Sequence, residues 1–82
     1  MRTMDWEGSV WKALKFAVTE MPIFVRKQAL RKIIEASEGN ARARKSDIVQ
    51  GPDLVAAARE KVPESVQGVC FNALRDYGVQ VE

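Results

Sequence analysis

Val10, Leu14, Ala17, Val18 and Met21 fall at offsets of 0, 4, 7, 8 and 11, a single apolar stripe that predicts a first helix from about Ser9 to Glu20. Asp5 or Ser9 is placed to cap its start, and Pro22 pushes Met21 out of the α region and ends it. Trp6 and Trp11 flank the stripe and are expected to be its largest buried areas. A second helix opens at Pro22, whose missing N–H has no partner to lose at a first helical position. Phe24, Val25, Ala29, Leu30, Ile33, Ile34 and Ala36 give it a wide apolar face as far as about Ser37, so it is expected to be central, with Phe24 buried between the first two helices. Arg31 and Glu35 form an i,i+4 pair outside that face, and Gly39 with Asn40 is expected to close the helix.

The stretch from Asn40 to Gln50 reads as a basic connector running into Ile48 and Val49, a short extended or buried piece. Pro52 marks the next start, and Leu54, Val55, Ala58 and Val62 give a stripe through a third helix that stops at Pro63. Its three consecutive alanines, Ala56 to Ala58, suggest a close crossing of two helices. Beyond it, Val66, Val69, Cys70, Ala73, Leu74 and Tyr77, at offsets of 0, 3, 4, 7, 8 and 11, predict a fourth helix with Gly78 as the residue that closes it. Gly68 weakens that helix by about 1 kcal/mol relative to alanine. Val79-Gln80-Val81 alternates like a strand but is too short to count as one. The pattern as a whole is all-α, a small helical domain of three core helices plus a C-terminal fourth, within one domain over residues 1–82.

Composition narrows the chemistry more than the fold. An 82-residue chain buries only about 60% of the surface it exposes when unfolded, so the core is small. Hydrophobic residues make up 46% and charged ones 29%, with a mean hydropathy of −0.23, which is the range of folded chains. No apolar run approaches the roughly 18 residues of a membrane span, and the N-terminus lacks the apolar core of a secretory signal, so the expected location is cytoplasmic. With one cysteine, Cys70, and no histidine, an internal disulfide, imidazole catalysis, a Cys2His2 zinc site and a four-thiolate iron–sulfur cluster are all excluded for the chain alone. The reading implies no catalytic residue, no metal and no cofactor. Cys70 lies on the apolar stripe of the last helix and is expected to behave as a small hydrophobe. Glu35 and Glu38, the best-spaced carboxylate pair, sit beside Arg31 and Lys32 on a face expected to be solvated. Gly51-Pro52-Asp53 reads as a turn leading into a helix, since no phosphate-binding glycine motif surrounds it.

The charge is unevenly spread. Between Arg26 and Lys45 seven bases face two acids, a net +5, and the rest of the chain is −3. The Arg42-Ala43-Arg44-Lys45 cluster, joined to a basic helix face, is a candidate for contacts with phosphates or carboxylates.

The run Met21-Pro22-Ile23-Phe24-Val25-Arg26 resembles a known family. A tryptophan and leucine upstream, an apolar-Pro-x-Phe-Val-Arg run opening a basic helix, an isoleucine-containing connector and an alanine-containing helix are similar to the small C-terminal domain of the light-independent protochlorophyllide reductase B subunit, a family with short free-standing members. The matching residues are Trp6 or Trp11, Leu14, Pro22, Phe24, Val25, Arg26, Ala29, Arg31, Ile48 and Ala57, so the resemblance covers about residues 6–62 and leaves 63–82 as an extra C-terminal helix. This chain departs from the family in a longer connector and in a glutamate displaced to Glu35. The family's enzyme reduces a tetrapyrrole double bond with electrons from iron–sulfur clusters, for which this chain has no ligands. The resemblance therefore implies an accessory module that positions a reductase subunit or a tetrapyrrole, with Arg26 as a polar contact and Trp11, Pro22, Phe24 and Val25 as the family core. A competing reading for Arg26 is pairing with Glu20 or a carbonyl.

Two readings of other classes stand beside it. One is a small nucleic-acid-binding protein using Arg26, Lys27, Arg31, Lys32, Arg42, Arg44 and Lys45, in the manner of histone-like modules with a long central helix and a basic loop. The other is a homodimerising interaction module whose fourth helix completes a partner's core.

Overall fold

A computed structural model describes residues 2–81 of the chain, 71% of them helical. In chain order the elements are β1 (Asp5–Trp6), α1 (Gly8–Thr19), α2 (Ile23–Ala43), β2 (Ile48–Val49), α3 (Gly51–Lys61) and α4 (Glu64–Asp76). The stripe read from α1 is buried throughout: Val10, Leu14, Ala17, Val18 and Met21 all lie in the core. α3 packs chiefly on α2 and α4 chiefly on α1, so α4 is integral to the fold and not an appendage, with Cys70, Ala73 and Leu74 in the same core. Ala57 and Ala58 lie at the packed side of α3. Ala56 is exposed, because three successive helical positions turn through about 200°. Among the described residues no helix is long and apolar enough to cross a membrane.

The largest departure from the sequence reading is the length of α2. The helix does not stop at Ser37. It runs through Gly39 and Asn40 to Ala43, six residues further, so the first four residues of the expected basic connector are helical. Glycine costs about 1 kcal/mol in a helix interior, but Ser37, Glu38 and Ala41 are buried, and losing that buried face would cost more. Closure comes later. Lys45 takes the left-handed conformation at φ 62°, its N–H donates to Arg42 O at 2.9 Å, and Ser46 N–H donates to Ala41 O at 2.9 Å. α4 ends in the same way at Gly78, φ 83°, with Val79 N–H donating to Leu74 O.

Phe24 is not buried between α1 and α2, because it lies on the outer face of the first turn of α2 while Val25, Ala29 and Ile33 turn inward. Trp6 is buried, whereas Trp11 is half-buried. Arg31 and Glu35 do not pair, the ion pairs among the described residues being Arg42–Glu38, Arg44–Asp53 and Lys61–Glu60.

Ile48 and Val49 are extended, as expected, and pair in parallel with Asp5 and Trp6, a contact no local pattern announced. Val79 and Val81 form no strand. They are buried, with Arg59 Nη2 donating to Val81 O at 3.0 Å.

Candidate functional site

The basic residues singled out in the sequence do not converge. Arg26 and Arg42 are sixteen positions apart on α2, about 24 Å at 1.5 Å per residue, three quarters of the 32 Å length of the molecule. At the far end the arginines are already engaged. Arg42 Nη2 donates to Thr3 Oγ1 at 2.6 Å and lies 3.7 Å from Glu38 Oε1. Arg44 grips Asp53 with two parallel bonds, Nε to Oδ1 at 2.8 Å and Nη2 to Oδ2 at 2.6 Å, and also reaches Ile48 O and Gln50 Oε1. Lys45 is exposed and makes no ion pair among the described residues.

Those contacts set the carboxylates. The Arg44 hydrogen bonds hold Asp53 below its ordinary value against burial, assisted by the Gln50 N–H, and hold Arg44 above its own. Asp53 also closes a capping box with Gln50 at the start of α3. Glu38, expected to be solvated, is buried. Burial alone raises its pKa, but hydrogen bonds from Thr3 and Trp6 and the charge of Arg42 outweigh it and leave the value lowered. Its Oε2 accepts from Trp6 Nε1 at 2.9 Å and Thr3 N at 3.0 Å, and its Oε1 accepts from Thr3 Oγ1 at 2.6 Å. These bonds tie the N-terminal segment to α2. Both carboxylates are buried and hydrogen-bonded within the fold. Burial pushes the Cys70 thiol up to about 11, leaving it protonated and inert at neutral pH. Among the described residues no three His, Cys, Asp or Glu side chains come together in a way that could hold a metal ion.

The near end of α2 is different. Pro22 caps the helix, and Arg26 clamps the corner between α1 and α2, its Nε donating to Met21 O at 2.9 Å and its Nη2 to Thr19 O at 2.8 Å. Arg26 is thus the carbonyl-bonded arginine of the competing reading, and its charge sits favourably at the C-terminal end of α1. The clamp fixes the backbone that carries Ile23, 77% exposed, and Phe24, 87% exposed. Phe24, Lys27, Gln28 and Arg31 share one face of α2 and line a shallow groove of about 490 Å³. Lys27, Arg31 and Lys32 make no ion pair among the described residues, and no acid intervenes before Glu35. The result is an apolar knob on a rigid corner inside a basic surround. Sequence reasoning located the Pro-x-Phe-Val-Arg run but put Phe24 on the wrong side of the helix. Val25 is half-buried against the core, and Trp11 meets Trp6 edge-on at 5.2 Å while the Arg2 guanidinium lies 4.4 Å above its ring.

No protein-family model, curated protein or solved structure matches the chain.

Proposed function

We propose that this chain is a non-catalytic accessory module that docks onto a larger protein through Ile23 and Phe24, the partner of first choice being the reductase subunit to which the Pro-x-Phe-Val-Arg resemblance points. The observation that carries the reading is the exposure of Phe24 at 87% beside Ile23 at 77%. A domain this small has few large apolar side chains, and two held outward on a clamped corner give a preorganised anchor that loses little entropy on binding. Lys27, Arg31 and Lys32 give the partner's chemistry, an apolar pocket with a carboxylate rim. A tetrapyrrole fits this knob less well than a protein pocket does, because an outward apolar knob calls for a concave partner.

The test mixes the chain with the catalytic body of a light-independent protochlorophyllide reductase B subunit and measures association by calorimetry. Binding that is lost in Phe24→Ala, while that variant melts like the wild type, supports docking through the knob. No binding by the wild type, or equal binding by the variant, overturns it. Nucleic-acid binding is the weaker reading, since Arg42 and Arg44 face carboxylates. Duplex DNA is expected to bind at a Kd of only about 10⁻⁴ to 10⁻⁵ M at physiological salt.

A further inference from the structure

We propose that the outer face of α1, where it meets the end of α4, is a binding site for a flat aromatic ring carrying a phosphate, the chemistry of a nucleotide. The site is separate from the Phe24 knob. Lys12, Lys15, Phe16 and Thr19 from α1 and Tyr77 from the end of α4 line an open groove of about 300 Å³, at the small end for ligand sites. Its floor is aromatic: the Phe16 and Tyr77 rings lie 4.7 Å apart, tilted by 34°. Tyr77 is 46% exposed although it follows a buried stripe, and its ring rests against that of Phe16. Phe16 is half-buried against the core.

The charge lining the groove itself is one-sided, while exposed Glu20 and Asp76 adjoin Thr19 and Tyr77 along the chain. α1 contains no acidic residue, and the two lysines are the only charged groups lining the groove. Neither makes an ion pair among the described residues. Thr19 adds no free donor, since its hydroxyl donates to Phe16 O at 2.6 Å. Two ammonium groups spaced i,i+3 beside an aromatic floor match a ligand with a π face at one end and a dianion at the other, a combination that stacks and pairs without reading hydrogen bonds.

Two sources share that chemistry, a free nucleotide and the exposed end of a single strand. The experiment is amide chemical-shift titration of the full chain at low salt with adenosine 5′-monophosphate, adenosine, ribose 5-phosphate and an oligodeoxyadenylate. Saturable shifts at Lys12, Lys15, Phe16, Thr19 and Tyr77 with the monophosphate are expected, at least about fivefold weaker for either fragment, since each keeps only the stack or only the ion pair. Lys12→Gln with Lys15→Gln weakens the monophosphate about tenfold, two exposed charges being removed, and Phe24→Ala leaves it unchanged. Oligonucleotide affinity above that of the monophosphate assigns the strand end, and equal or lower affinity assigns the free nucleotide. Shifts that do not saturate, that centre on Lys27 and Arg31, or that are matched by ribose 5-phosphate alone overturn the site.

Discussion

Removing the Glu38 carboxylate tests how the N-terminal segment is held. In Glu38→Ala the Trp6 indole N–H loses its acceptor while buried, and Thr3 loses the acceptor for both its amide and its hydroxyl. A hydrogen bond to a charged group contributes about 1.5–3 kcal/mol and a stranded buried donor costs about 1–3 kcal/mol, so the loss for Glu38→Ala is about 3 kcal/mol. Glu38→Gln keeps the shape. Its carbonyl still accepts from Trp6 and its amide is able to donate to Thr3 Oγ1, so only the charge-dependent part, about 1.5 kcal/mol, is lost. For a domain of this size that lowers Tm by roughly 6–12 °C, readable by circular dichroism. The pH dependence fixes the cause. Hydrogen bonds from Thr3 and Trp6 and the Arg42 charge hold Glu38 below its ordinary 4.5 despite burial. The folded chain therefore binds fewer protons at this site than the unfolded chain. Its stabilisation is complete above 4.5 and disappears as the pH falls through the lowered value, so the gap between wild type and Glu38→Gln is wide at neutral pH and closes in acid. Equal melting of the two proteins at neutral pH, or a gap that ignores pH, would refute the reasoning.

The other expectations follow from single contacts. Asp53→Ala removes the capping box of α3 and the two hydrogen bonds from Arg44; because Arg44 is 42% exposed, solvent recovers part of the loss, and urea melts should show about 2 kcal/mol. Lys45→Gly relieves the left-handed backbone at φ 62° and should stabilise by about 0.5–1 kcal/mol in the same assay, whereas destabilisation would mean that the lysine side chain has a contact of its own. Phe24→Ala should move stability by no more than about 0.5 kcal/mol, because the side chain touches little. Cys70, its pKa raised to about 11 by burial, should resist a thiol reagent at neutral pH until the chain is unfolded, and prompt labelling of the native protein would contradict its place in the core.

The sequence by itself determined the all-α class, four helices, the inward stripe of α1, that of α4 except for the exposed Val69 and Tyr77, and the closing role of Gly78. Each follows from 3.6-residue periodicity and from the φ values that proline and glycine allow, which are local properties. The tertiary structure decided what periodicity leaves open. α2 passes Gly39 because its continuation is buried, a free energy a glycine penalty cannot match. Phe24 sits at the edge of an apolar arc so wide that only the placement of α1 selects which residues it covers, and that placement leaves Phe24 in solvent. Glu38 shares its spacing with Glu35, yet one is buried and the other exposed, because Thr3 and Trp6, more than thirty residues away, come to meet it. Arg42 and Arg44 counted as free charge until long-range folding set Glu38 and Asp53 beside them. Charge and hydrophobicity are written residue by residue, whereas pairing and exposure depend on which distant segment arrives to cover them.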